Sequence, residues 1–170
     1  QVGFKKMTSP KKTHQLFRLR VYDFFASYHN DLEMTTQLTF NRAFLQGDVI
    51  SREVYIKPPK EAEASDFWRL LKCVYGLRDA SRLWLLRLDS TLRELGLESW
   101  KFDPAVYVMR KDGQICGIVT IHVDDLLWGG NAEFSSMIIE PLKRRFAVSS
   151  ECCNSFKFLG LQINQIRTLL

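Results

Sequence analysis

The sequence predicts an α+β fold, an antiparallel sheet with helices packed on one face, and three observations carry that prediction. Two apolar runs, 105–109 and 115–121, flank Lys111-Asp112-Gly113. That is a hairpin signal, because Asp-Gly tolerates the positive φ of a tight two-residue turn. A leucine stripe, Leu85, Leu88, Leu92 and Leu95, recurs at helical spacing over about 80–95. Finally, the strands come in hairpin-linked groups set apart from the helices, which suits α+β rather than an alternating parallel fold.

In chain order, residues 1–12 are basic and turn-like. Thr13 can cap a helix to about Tyr28, with Leu16, Phe17, Leu19, Val21, Phe24 and Phe25 on a broad apolar face. Residues 33–40 are threonine-rich, end Leu38-Thr39-Phe40, and read as a strand. After Ala43-Phe44-Leu45 comes a turn at Gln46-Gly47-Asp48. Residues 53–57 alternate like a strand until Pro58-Pro59 stops them. The acidic run 61–66 reads as a solvated loop, and 68–74 as a strand closed by Tyr75-Gly76. Asp79 or Ser81 caps the leucine-striped helix, and Gly96 ends it. Residues 122–125 interrupt an apolar run that resumes at Leu126-Leu127-Trp128 before Gly129-Gly130. A helix over about 132–146 carries Pro141, which kinks it or marks its start, and 156–163 closes the chain as a strand. No repeat, low-complexity tract or linker divides the chain, so one domain is expected across 1–170.

With 170 residues and 46% hydrophobic composition, the chain is long enough for one core and short for two ordinary domains. Its charge of +5, from 24 Lys+Arg against 19 Asp+Glu, suits a polyanionic partner without requiring one. The four cysteines form no CxxC and the three histidines are scattered, which excludes a zinc framework. Free, mostly buried thiols in a reducing compartment are expected. No run approaches ~18 apolar residues, and the first residues are no signal peptide. The absence of an initiator Met points to a piece of a longer intracellular, soluble protein.

The informative feature is Asp124-Asp125, set between the apolar runs Ile118-Val119-Thr120-Ile121 and Leu126-Leu127-Trp128. A hairpin tip usually takes Asn-Gly or Asp-Gly, so turn propensity does not explain His122-Val123-Asp124-Asp125. Adjacent carboxylates repel, and a cation is a physical reason to keep them together. Carboxylate oxygen suits Mg²⁺, which takes one or two protein carboxylates plus phosphate oxygens and water. The alternative is an exposed acidic turn that simply solvates its charges.

Four blocks in order extend the pattern. They are Phe40-Asn41-Arg42-Ala43-Phe44-Leu45-Gln46-Gly47-Asp48 with Glu53-Val54-Tyr55-Ile56; Leu71-Lys72-Cys73-Val74-Tyr75-Gly76-Leu77-Arg78-Asp79-Ala80-Ser81-Arg82-Leu83-Trp84; Asp103-Pro104-Ala105-Val106-Tyr107 leading into the acidic turn; and 142–146 with Phe156-Lys157-Phe158-Leu159-Gly160-Leu161-Gln162-Ile163. Together they resemble the reverse transcriptase of copia-type LTR retrotransposons. The resemblance implies a reverse-transcriptase-like palm sheet with helices on one face. It implies an RNA-directed DNA polymerase, a nucleotidyltransferase working by two-metal phosphoryl transfer.

Residue by residue, Asp124 and Asp125 match the metal-site aspartates of the acidic turn. Phe44 matches the aromatic that closes the sugar side of the nucleotide pocket. Tyr75, Gly76 and Arg78 fall in the block facing nucleotide and template, and Arg82 can reach a nucleic-acid phosphate or simply sit on the exposed face of the first helical turn. The implied cofactor is Mg²⁺ (or Mn²⁺). The implied partners are an RNA/DNA primer-template, dNTPs and the remainder of a Pol polyprotein, with no membrane. The implied location is the cytoplasm, in a virus-like particle, or the nucleus. Residues 1–170 then form a partial domain, palm with part of the fingers. The fingers hairpin, thumb, RNase H and integrase are expected to be absent.

The chain departs from the family pattern at Thr39, which stands where the family's other catalytic aspartate belongs. A neutral hydroxyl is a poor Mg²⁺ ligand, so weakened metal binding and an inactive polymerase are expected. Asp31 and Glu33 lie ~20 Å or more away along an extended strand, and Asp48 belongs to the following turn. None is a replacement. His122 stands where Tyr is commoner, and Ser81 where many members have Pro. Lys143-Arg144-Arg145 can touch a nucleic-acid backbone or sit as a solvated face. The competing expectation is a catalytically dead derivative that serves as a nucleic-acid or protein binding module.

Overall fold

The apolar runs on either side of the acidic turn pair with each other and recruit further strands, each in antiparallel register. The computed structural model describes residues 2–5, 34–62 and 66–165. The helix expected over 13–28, together with Asp31 and Glu33, lies outside them. Two compact units can be distinguished, 1–41 with 92–170, and 42–91.

The first unit is built on a six-stranded sheet in the order β5-β6-β7-β8-β2-β9. Its strands are β2 (Met34–Phe40), β5 (Glu98–Trp100), β6 (Asp103–Lys111), β7 (Gln114–His122), β8 (Asp125–Gly130) and β9 (Val148–Cys153). The β6–β7 hairpin closes as expected: Lys111 pairs with Gln114, and Asp112 and Gly113 have φ of 53° and 80°. Both central residues in the left-handed region is the turn whose twist matches that of the strands.

Side chains alternate across this sheet, and each face is covered differently. Val106, Val108, Ile118 and Leu127 point to one face. There they form a core with Phe156, Phe158 and Ile163 of a three-stranded sheet, β1-β11-β10. The strands of this second sheet are β1 (Val2–Lys5), β10 (Ser155–Phe158) and β11 (Leu161–Gln165). The single strand expected over 156–163 is therefore two, broken at Leu159-Gly160, with φ of 51° and 73°. The glycine lets the chain reverse, and Phe156 and Ile163 meet as register partners.

Trp128 belongs to the opposite face, where Phe134 packs 6.0 Å from it. Phe134 is fixed by the start of a helical segment. Asn131 caps it by accepting the Phe134 N–H on its side chain at 2.8 Å. The segment runs through α-helical 132–134, a π turn at Ser135–Ile139 and a last helix at Glu140–Arg145. The π turn falls just ahead of Pro141. Proline lacks an N–H and crowds the carbonyl four residues back, so a locally widened turn absorbs the break. Two of the three cations at its end are held by acids, Lys143 by Glu151 at 2.6 Å and Arg145 by Glu94 at 2.6 Å. The hydrogen bond to Glu151 raises the Lys143 pKa. This cluster is thus mostly a neutralised face, with Arg144 exposed.

The second unit holds a short helix α1 (Ala43–Gln46), a two-stranded sheet of β3 (Tyr55–Ile56) and β4 (Trp68–Arg69), and helix α2 (Ala80–Glu94), whose last residues belong to the first unit. The strand expected over 68–74 shrinks to two residues. Beyond it the backbone makes isolated bonds to a neighbouring loop, Ile50 N–H to Leu71 O at 3.0 Å and Leu70 N–H to Val54 O at 2.8 Å. Phe67, Trp68 and Leu71 stay exposed, so no buried face pins a longer register. On α2 the buried stripe is Ala80, Trp84, Leu88, Thr91 and Leu92, while Leu85 is exposed. Trp84, with the larger surface to bury, takes the inward position. Gly47 packs tightly on this helix; a Cβ there would lie 3.1 Å from the Trp84 backbone nitrogen.

All four cysteines are free, as expected, but Cys152 and Cys153 are exposed on the edge strand β9. Burial pushes the Cys73 thiol up, and burial does the same at half-buried Cys116. A raised pKa leaves less thiolate at neutral pH. Brief iodoacetamide treatment of the native protein, read by mass spectrometry, should therefore modify Cys152 and Cys153 well before Cys73 and Cys116. Equal rates at all four would contradict this burial pattern. Among the described residues, no helix is long and apolar enough to cross a membrane.

Candidate active site

The acidic turn sits where β7 hands over to β8. His122 and Asp125 are register partners, leaving Val123 and Asp124 as the two turn residues. Val123 has φ 56°, unusual for a β-branched side chain, whereas Asp124 has no such positive value. Positive φ at the first turn position alone is the pattern that usually takes glycine. Holding valine there stores roughly 1–2 kcal/mol of backbone strain. The neighbouring strand supports the turn, since the Phe40 N–H donates to Asp124 O at 2.8 Å. Val123 is exposed, and Asp124, Asp125 and His122 are half-buried.

Strand β2 brings Thr39 to this turn as the register partner of Asp125. Its hydroxyl donates to Asp125 Oδ1 at 2.7 Å, and its carbonyl accepts from Ser149 Oγ at 3.0 Å. Thr39 therefore touches the Asp125 carboxylate directly. Its contribution there is a neutral donor, not an acceptor for a cation.

The other expected site residues lie in the second unit. Phe44, on α1, is 8% exposed, and its ring meets that of Tyr75 at 4.5 Å, tilted 52°. Tyr75 is 64% exposed, so one ring is anchored and the other presented to solvent. Gly76 follows with φ 95° and open space where a Cβ would stand. Arg78 and Arg82 are exposed just before and on the first turn of α2. Between them, Asp79 starts the helix, its carbonyl accepting from the Leu83 N–H at 2.9 Å and its carboxylate meeting Arg52 at 2.7 Å. The Arg52 contact was not legible in the sequence, because the partners are 27 residues apart.

Comparison with known proteins decides the lineage. The family model described as reverse transcriptase (RNA-dependent DNA polymerase) matches residues 2–170. The chain belongs to that family. Its relatives are of the copia type. The retrovirus-related Pol polyprotein from transposon RE2 of Arabidopsis thaliana is 31% identical over 135 residues, covering 76% of this chain and 9% of the relative. The one from transposon TNT 1-94 of Nicotiana tabacum is 34% identical over 145 residues, 81% of this chain and 10% of the relative. The Ty1-DR4 Gag-Pol polyprotein of Saccharomyces cerevisiae is 32% identical over 114 residues, 65% of this chain and 7% of the relative. The chain thus spans about a tenth or less of the length of these relatives. No solved structure matches it significantly.

The reverse transcriptase family implies a divalent metal. Asp124 and Asp125 supply two adjacent, half-buried carboxylates. Among the described residues, no group of three or more His, Cys, Asp or Glu side chains could hold a metal ion. Two carboxylates fit one hard cation whose shell is completed by water and phosphate oxygens. The Thr39 hydroxyl beside them, bonded to Asp125, adds no third carboxylate.

Proposed function

We propose that this chain is the central part of a copia-type reverse transcriptase domain, an RNA-directed DNA polymerase by class that is inactive as it stands. In this reading the six-stranded sheet is the palm. Asp124 and Asp125 are the metal-side carboxylates, with Mg²⁺ or Mn²⁺ binding weakened. Phe44, Tyr75, Gly76 and Arg78 face the incoming nucleotide, and Arg82 a nucleic-acid phosphate. Substrates are a primer-template and dNTPs, and the setting is a Pol polyprotein.

The observation that carries the inactive reading is the Thr39–Asp125 hydrogen bond at 2.7 Å. A divalent ion supplies charge stabilisation to phosphoryl transfer when bound. Here Thr39 occupies one acceptor site of Asp125 with a neutral donor and brings no charge of its own, so an ion would meet one carboxylate fewer than a third aspartate would supply. Phe44, anchored under Tyr75, is suited to a steric role against a ribose. Tyr75 is suited to stack on a base.

The second reading is a catalytically dead nucleic-acid or protein binding module, in which the Thr39–Asp125 bond is simply part of the β2–β8 pairing. Primer extension on an RNA template in Mg²⁺ or Mn²⁺ separates the two readings, comparing the unaltered chain with Thr39→Asp and with Thr39→Asp/Asp124→Asn. Extension by the Thr39→Asp protein alone supports a disabled polymerase. Robust extension by the unaltered chain sinks the inactive reading. Nucleic-acid binding with no extension by any variant favours the binding module.

A further inference from the structure

The turn between β5 and β6 gathers a group of side chains unrelated to the acidic turn. Lys101 and Phe102 form its tip, closed by the Trp100–Asp103 pair. Phe102 is 66% exposed. Its ring lies 6.0 Å from that of Trp100, tilted 59°, with Lys101 Nζ 4.6 Å from its centroid. Trp100 is anchored, packing against the core of Val106, Val108, Ile118 and Leu127. The Arg110 guanidinium sits 5.6 Å from its ring centroid. Two rings and two cations thus form one continuous strip beside the edge strand β5.

Two cations, Lys101 and Arg110, lie against these rings. Asp103, the carboxylate nearest the tip in sequence, folds back to accept the Ala105 N–H at 3.0 Å. Arg110 donates to Gly113 O at 3.5 Å and makes no ion pair among the described residues. It also lines a polar recess of about 670 Å³ at the β6–β7 tip, together with Asp112, Gln114, Asn131 and Lys111, the last paired with Glu133 at 2.7 Å.

We propose that this strip is a binding platform for single-stranded nucleic acid, in which an unpaired base stacks on the exposed Phe102 ring and phosphates meet Lys101 and Arg110. An exposed ring beside an anchored one accepts any base through its π-face, and the flanking cations neutralise the backbone. A protein partner is the poorer match. The apolar area is confined to two rings, and lysine is depleted at the cores of protein interfaces. The platform rests on its own residues and stands whether or not the chain polymerises.

The test is fluorescence anisotropy of a labelled, unstructured oligonucleotide with the full chain across a salt series. Phe102→Ala should weaken binding roughly 5- to 100-fold, the range for losing one stacked base, and Phe102→Trp should hold it. Arg110→Gln should flatten the slope of log affinity against log salt by about 0.7, one phosphate contact to a single strand. Because Phe102 is exposed, the thermal midpoints should not move. Undetectable binding by the unaltered chain, equal affinities for Phe102→Ala and the unaltered chain, or a loss confined to Tyr75→Ala each overturns the proposal.

Discussion

Changing Thr39 to Asp is expected to destabilise the metal-free protein and to make its stability respond to Mg²⁺. The substitution removes the hydroxyl that donates to Asp125 Oδ1 at 2.7 Å. A hydrogen bond to a charged acceptor is worth about 1.5–3 kcal/mol. It also sets a second carboxylate on the register partner of Asp125. Two ionised carboxylates ~4 Å apart repel by about 4 kcal/mol at an effective dielectric near 20, enough for one of them to hold its proton instead. That raises a carboxyl pKa in the folded state. The folded protein then keeps a proton that the unfolded chain has released, so stability should fall as pH climbs from about 4 through the raised value.

A divalent ion reverses the penalty. At a concentration 100 times its Kd it stabilises by about 2.7 kcal/mol, which is about 5–11 °C in midpoint for a chain of this size. The unaltered chain, with two carboxylates and a hydroxyl, should respond much less. Thermal unfolding of both proteins with and without millimolar Mg²⁺, at pH 5 and pH 8, reads all of this without reference to activity. If the Thr39→Asp midpoint is unchanged without metal and no more metal-sensitive than the unaltered chain's, the assignment of Thr39 to a metal position is wrong. In primer extension, the gain should be on the order of 10²-fold or more, the scale of one preorganised charge-stabilising group.

Local chemistry was legible in the sequence; long-range chemistry was not. Asp112-Gly113 specifies its own turn, and the structure puts both residues at positive φ. Gly96, at φ 91°, ends α2 where expected, with its N–H bonded to Arg93 O. Helical periodicity predicted α2 and the burial of Leu88 and Leu92 but chose Leu85 over its neighbour Trp84, because only the surroundings decide which of the two turns inward. The strand over 156–163 was over-extended because its apolar residues hide the reversal, although Gly160 marked it. At the candidate site, two adjacent aspartates between apolar strands were conspicuous, and Thr39 could be aligned with them by family pattern. That the Thr39 hydroxyl bonds to Asp125 could not be read, since 86 residues separate them. The Trp100–Phe102–Arg110 strip escaped notice for a related reason: its cation reaches across from the far end of another strand.

Gly117→Ala is expected to be among the most destabilising single-methyl additions in the first unit. Gly117 and Gly130 are register partners on β7 and β8, and the Phe134 ring packs against both. A Cβ at Gly130 would fall 2.5 Å from Phe134 Cδ1, and one at Gly117 would overlap the ring more deeply. The ring has little room to retreat, because the Asn131 cap fixes the backbone that carries it and Trp128 packs beside it. Overpacking of this kind costs about 1–3 kcal/mol and occasionally more, which predicts a midpoint about 2–12 °C lower.

Phe134→Ala alone should cost about 3–5 kcal/mol through lost burial and a cavity. The double variant should cost at least about 1 kcal/mol less than the sum, since the new methyl then occupies space the ring has vacated. Strict additivity in denaturant unfolding would show that the ring is not what Gly117 accommodates. The pairing also bears on the acidic turn. β7 and β8 run from these glycines directly to His122 and Asp125, so a ring that holds the two strands together at one end steadies the strained Val123–Asp124 turn at the other. A Gly117→Ala protein that stays folded should therefore lose part of the Mg²⁺ response introduced by Thr39→Asp, although no side chain at the turn has changed.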